Sequence, residues 1–331
     1  MENEKSGSSA RIEWIDIYRG LAMVFVIFGH IAGYYHIVGR FVYLFHVPAF
    51  FFLSGYLFSD RKHFVEFLWA KIRTLLLPFL LFSFTMILFN FIVHALMHSD
   101  YPLWWNIRCT LLQRRGEENR IWFLPCLFAS EILLYLMLRV RGGYLFYGVF
   151  LAWGWLNGLL LKHNIPWSPD TVAIGMSFMI AGLHFRKYQL EKKFNAKYSM
   201  IVSFIICCTV YIINKSMSYD IDMADNMFGD PLLFYAGAFS GIVFLYSVSV
   251  LIHSKQLVFI GQNTITFLCM NSSAIKVSKK MLKLIHMRKF SKQLYYICSL
   301  IMVLAALWLI SLFVNRYIPF YAGKKKKAAA K

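Results

Sequence analysis

Arg19, His30 and His46 stand inside apolar runs long enough to cross a bilayer, and these are the side chains from which chemistry is to be expected. A charged group at the centre of a spanning helix costs at least about 2.5–3.5 kcal/mol on insertion scales, so its retention there needs a reason. Arg19 and His30 lie roughly three helical turns apart, about 16 Å of rise, on nearly the same helix face. If one helix runs from about Trp14 to Tyr34 and the next from about Phe41 to Phe58, His30 and His46 flank the shared turn at similar depth. An imidazole titrates near neutral pH and suits a general base. A guanidinium stays charged at any working pH, and its planar fork matches phosphate oxygens. Asp16, three residues before Arg19, can pair with it on one face. Structural readings stand beside these: Arg19 snorkelling to the interface with Asp16 as local partner, His30 packing between helices, and His46, just before Pro48, tying two helices together.

Further along, Glu131 is an intramembrane carboxylate, a type that faces a cavity or a partner. It could steer a substrate hydroxyl, orient His30, or pair with a buried Arg or Lys. Trp122 could stack on a sugar ring or belong to an aromatic belt. Asn271 is expected at the same level as His30 and His46. A cluster at Asp220, Asp222 and Asp225 lacks the Gly and the closing Glu of a calcium loop and reads as an external acidic loop.

The elements that must hold these residues follow from composition. The chain has 331 residues, of which 59% are hydrophobic, 18% aromatic and 15% charged. No water-soluble domain hides that much apolar surface, so the reading is an all-α, polytopic membrane protein of about ten transmembrane helices. After the first two, helices are expected near 67–97 with a kink at Pro78, and near 121–138, 144–161 and 171–185. The last of these has glycines within and near it and is expected to be tilted or broken. The remainder are expected near 198–213, 231–252, 257–274 and 294–314. A loop from His98 to Arg120 carries Arg108, Arg114, Arg115, Glu117 and Glu118.

An even count puts both termini on one side, and the positive-inside rule makes that side cytoplasmic. Arg61, Lys62, Lys71, Arg73, Arg139, Arg141, the run from Arg186 to Lys197 and the terminal lysines Lys324 to Lys327 all agree. The basic stretch from Lys276 to Lys292 disagrees, since it falls outside. Either it is an amphipathic surface segment or a re-entrant helix lies nearby. The net charge of +19 is assigned to loops and lipid headgroups, not to nucleic acid. The polar N-terminus shows no removable signal peptide, so the first helix is expected to be retained. Six cysteines show neither metal spacing nor a disulfide framework. A Walker loop, a dinucleotide glycine fingerprint, HExxH and Gly-x-Ser-x-Gly are all missing.

The run IDIYRGLAMVFVIFGH, with Arg19, ten residues and then His30, resembles the signature helix of the acyltransferase-3 membrane O-acyltransferases. LFHVPAFFFLSGYLF (44–58) is similar to the second helix of the fucose 4-O-acetylase-like branch. KIRTLLLPF (71–79), IWFLPCLF (121–128), IGQNTITFL (260–268) and NRYIPFYAG (315–323) also resemble family segments, in order along the chain. The resemblance implies transfer of an acetyl or other acyl group from cytoplasmic acetyl-CoA (acyl-CoA), with no metal, to a hydroxyl of a cell-surface glycan or lipid-linked sugar. It makes His30 the catalytic histidine, as base or acyl carrier, and Arg19 the essential arginine, with Asp16 orienting it. Lys71 and Arg73 fall where the family places basic residues near the CoA phosphates, with Lys71 where Arg is usual. His46, Trp122, Glu131 and Asn271 are the expected acceptor-side residues, and Asn271 stands where the family commonly has His. The expected organisation is a cytoplasmic tail (1–12), an acyltransferase transmembrane domain (13–318) and a basic cytoplasmic tail (319–331), in the inner membrane. Membrane lipids are expected partners, and a homodimer is left open. A transporter or flippase using the same polar path without acyl chemistry, and a non-catalytic subunit of a polysaccharide machine, are the rival readings.

Overall fold

Helices account for nearly all regular structure in the described residues of this computed structural model (12–33, 37–113, 121–160, 165–193, 195–286 and 291–324); among them the one β feature is an isolated bridge between Asp222 and Met227. In chain order they are α1 (Glu13–Ala32), α2 (Ile37–Tyr43), α3 (His46–Tyr56), α4 (Phe64–Lys71), α5 (Leu77–Leu96), α6 (Leu103–Leu111), α7 (Phe123–Met137), α8 (Gly143–Leu160) and α9 (Pro169–Lys187). Then come α10 (Ala196–Ser216), α11 (Pro231–Leu251), α12 (Lys255–Gln262), α13 (Thr264–Leu284) and α14 (Lys292–Tyr317). Among the described residues six segments are long and apolar enough to cross a membrane: α1, α2 with α3, α4 through α5, α10, α11 and α14. The shorter apolar helices α7 and Leu145–Leu156 of α8, with α9 and the α12–α13 pair, fill the remaining expected positions. The fold is therefore an all-α, multi-pass membrane bundle.

Five expected elements differ in shape. The second helix is broken at Leu44–Phe45. Pro48 cannot donate to Leu44 four residues back, which weakens the ladder there. The Val42 carbonyl instead takes the Phe45 N–H (3.1 Å) and the His46 Nδ1–H (2.9 Å). The kink expected at Pro78 is a π turn over Ile72–Leu76, closed by Leu77 N–H to the Ile72 carbonyl. A wider turn lets the chain reach a proline without a clash, and such turns are a known cause of helix bends. The ninth helix breaks at Asn263 and then runs on to Leu284, ten residues past its expected end. The expected loop at 98–120 contains α6, whose Asn106, Cys109 and Thr110 are buried. Arg114, Arg115, Glu117 and Glu118, the turn at 34–36, the tail 1–11 and the lysines after Lys324 lie outside the described residues.

The sixth helix, α9, is neither short nor broken. Its glycines serve close packing instead: a Cβ at Gly182 would meet the Phe52 carbonyl oxygen at 1.9 Å, and one at Gly55 would meet that of Met179 at 1.9 Å. Small residues at such crossings let two backbones touch, which is how helices gain attraction in lipid. The same device joins α1 to α12, where a Cβ at Gly20 would sit 2.2 Å from Leu257 O and one at Gly261 1.9 Å from Asp16 O. That contact fixes the start of α1, with Asp16 and Arg19, against the break at Asn263.

Candidate active site

Four helices, α1, α3, α7 and α13, each pass two cavities. Along α1 the order is Arg19 then His30; along α13 it is Thr264 then Asn271. On α3 and α7 it is reversed, His46 before Ser54 and Trp122 before Glu131. The helices thus run antiparallel in pairs and set two polar levels, one at the Arg19 end and one at the His30 end.

The His30 cavity has a volume of about 480 Å³ and is lined by His30, Tyr43, His46, Trp122 and Asn271, together with Asp222 and Asp225. The structure therefore gathers His30, His46, Trp122 and Asn271 around one space. Tyr43 stands between the two imidazoles. Its hydroxyl lies 3.4 Å from His30 Nδ1, and its ring centroid lies 4.8 Å from that of His46. His46 donates from Nδ1 to a carbonyl, so its Nε2 carries the lone pair. His46 is thus both a tie across the helix break and a wall of the cavity. Lys279 donates to the His30 carbonyl at 3.4 Å.

The Arg19 cavity, about 290 Å³, is lined by Arg19, Lys71, Glu131, Gln262, Asn263 and Lys324. Lys71 Nζ lies 2.7 Å from Glu131 Oε2, so of the open readings of Glu131 the structure shows the buried pair. Glu131 lines this cavity and not the one that holds His30. Arg73 is exposed and is not among the lining residues; two residues on from Lys71, it falls on the other side of the helix. Asp16 is 2% exposed and accepts from Gln262 Nε2 at 3.1 Å. Asn263 Oδ1 accepts from Asn315 Nδ2 and Lys324 Nζ, both at 2.7 Å, and Lys324 also donates to Asn315 Oδ1 at 2.8 Å.

Phe50, Phe123 and Leu268 line both cavities and form the partition between them. The two phenyl rings are 5.7 Å apart. The arrangement is a cationic chamber and an imidazole chamber, back to back, with an apolar septum thin enough to be shared. Such a pair can hold an anionic molecule on one side and a polyol on the other while bringing one atom of each together.

Sequence reasoning missed two parts. The acidic loop folds over the His30 cavity because Asn226 donates to Asp170 and accepts from Thr171 Oγ1 at 2.7 Å, both at the start of α9. Lys324 enters the Arg19 cavity because Pro319–Ala322 turns the chain back after α14. The PDT sequence opening α9 and the Pro319 after α14 are the signals that could have suggested them. Among the described residues no group of three or more His, Cys, Asp or Glu side chains gathers to hold a metal ion.

A family model described as an acyltransferase domain matches residues 12–312. Neither the curated proteins nor the solved structures return a match to the chain.

Proposed function

The chain belongs to the acyltransferase-3 family and is a multi-pass membrane acyltransferase, and from that premise we propose that it moves an acetyl or other acyl group from cytoplasmic acyl-CoA to a hydroxyl of a cell-surface glycan or lipid-linked sugar. The observation that carries this reading is the pair of cavities sharing Phe50, Phe123 and Leu268. Arg19, Lys71 and Lys324 offer three cations around one cavity, a suitable reception for CoA phosphates. Trp122, Asn271, Asp222 and Asp225 around the other offer a stacking face and hydrogen-bond partners for a sugar.

His30 takes the proton of the acceptor hydroxyl as its oxygen attacks the thioester carbonyl. The C–O bond forms, the C–S bond breaks, and the departing thiolate recovers the proton from the imidazolium. Tyr43 holds His30 Nδ1 and leaves Nε2 for the reaction. An acyl-histidine route uses the same Nε2 as nucleophile and splits the transfer into two steps. Arg19, about 16 Å along α1 from His30, holds the donor and does not touch the reacting carbonyl. Asp16, itself fixed by Gln262, orients the first turns of α1 on which Arg19 stands.

By this reading residues 13–318 form the catalytic domain, both termini and the Arg19 end face the cytoplasm, and the protein resides in the inner membrane. The Phe45-His46-Val47-Pro48 motif at the break of the second span supports the fucose 4-O-acetylase-like branch. Purified His30→Ala and Arg19→Ala proteins should insert and melt as the parent does yet lose about a hundredfold or more of acyl transfer from acyl-CoA. Near-parental transfer by either variant removes the mechanism.

A further inference from the structure

A third concavity, about 580 Å³ and largely apolar, lies between α5, α13 and α14. It shares Ile121, Ser272 and Lys276 with the His30 cavity, so the two adjoin. On α13 its lining runs from Cys269 to Met281, about 18 Å of rise. Val277 and Met281 on its edge are 59% and 52% exposed, so it opens sideways on the outside of the bundle, where lipid chains lie. Four of its lining residues are methionines (Met86, Met270, Met281 and Met302), side chains that adapt to a flexible apolar guest.

Charge marks one end of this groove. Beyond its apolar half α13 carries Lys276, Lys279, Lys280 and Lys283, at i, i+3, i+4 and i+7, and hence along one helix face. Lys276 is exposed and stands where groove and cavity meet. This is the basic stretch that violates the positive-inside rule. A row of cations at the acceptor end has a use if the acceptor arrives there with a negative charge.

We infer that the groove seats the chain of a polyprenyl phosphate-linked acceptor, with Lys276 at its phosphate and the sugar in the His30 cavity. The inference rests on assigning that cavity to the acceptor. A single groove fits one long chain better than the two tails of a phospholipid. The adjoining imidazole cavity also gives the head of the same molecule somewhere to go.

Native mass spectrometry of the detergent-solubilised protein, offered a long-chain polyprenyl phosphate against phosphatidylglycerol, tests the site without catalysis. The polyprenyl phosphate should be retained in preference. Lys276→Ala and the groove-filling Ala306→Phe should each weaken retention about tenfold, while Lys276→Arg keeps it. Equal retention of phosphatidylglycerol, or no change in Lys276→Ala, overturns the proposal even if Ala306→Phe misfolds. Acyl transfer separates this from the catalytic reading. The parent should use a lipid-linked oligosaccharide about tenfold or more better than the same sugar without lipid. Transfer to the lipid-free sugar with no polyprenyl phosphate binding sinks the groove and leaves the chemistry. Intact binding together with full transfer by His30→Ala sinks the chemistry and leaves the groove.

Discussion

Removing Lys71 should hurt far more than removing its partner. Glu131 is 4% exposed, whereas the Lys71 side chain is 25% exposed and reaches the edge of its cavity. In Lys71→Met the carboxylate keeps its place and loses the ammonium 2.7 Å away. Breaking a buried pair by removing one partner costs about 3–5 kcal/mol. The carboxyl group has an escape, since it can bind a proton, and doing so at pH 7 costs about 3.7 kcal/mol. That sets the ceiling, so a loss of about 3–4 kcal/mol is expected. In Glu131→Gln the ammonium can turn to water, and the loss should be about 1 kcal/mol, nearer that of a half-exposed ion pair. In Lys71→Met/Glu131→Leu neither charge remains, and most of the stability should return. Thermal unfolding in detergent, followed by intrinsic fluorescence, reads the order directly. At about 2 °C per kcal/mol, Lys71→Met should melt about 6–8 °C below the parent and Glu131→Gln about 2 °C below. Because the escape consumes a proton, the deficit of Lys71→Met should shrink as pH falls towards 5. Equal deficits in the two single variants, or a double variant no better than Lys71→Met, would refute the buried-pair reasoning.

Other expectations concern the septum and the helix crossings. Phe123→Ala opens the wall shared by the two cavities, and it should raise acyl-CoA hydrolysis relative to transfer as water gains the thioester; an unchanged ratio of free acid to acylated product would show that the septum does not exclude water. Gly182→Ala puts a methyl group where the Phe52 carbonyl already is, so α3 and α9 must separate; a loss of about 1–3 kcal/mol should appear as a lowered melting temperature, and a parental melt would contradict the packing. The His30→Ala and Arg19→Ala pair, compared in one acyl-transfer assay, should show equal loss of product with intact insertion.

How much could be read in advance depended on the kind of signal. The helical segments are visible because lipid demands an unbroken apolar run of fixed length, and α1, α10, α11 and α14 follow it closely. His30, His46 and Asn271 could be placed at one level from the order and length of the spans, and all three line one cavity, with Trp122 beside them. Counting fails where the chain departs from an ideal helix. The break at Leu44–Phe45 is a local matter of Pro48 and of His46 satisfying Val42 O four residues back, whereas the break at Asn263 depends on Asn315 and Lys324 from a segment some fifty residues away. Glu131 could be read as facing a cavity or a partner, yet its partner comes from α4, and no local pattern names a partner across helices. The acidic loop looked like a solvated surface because Asp222 and Asp225 lie in no periodic pattern. Its fold over the cavity depends on Asn226 meeting Asp170 and Thr171.

The π turn at Ile72–Leu76 has a consequence for how this span could have arisen and how it could be edited. One surplus residue in a helix rotates everything before it by about 100° relative to everything after it. Lys71 therefore faces the Arg19 cavity while Ser83, Met86 and Asn90 of the same span face the methionine-lined groove. Deleting a single residue between 72 and 76 would restore an ordinary helical screw. The ammonium would then turn away from the Arg19 cavity and abandon its carboxylate, and with Ile72, Arg73 or Leu76 as the one deleted, no residue lining that cavity would have been removed.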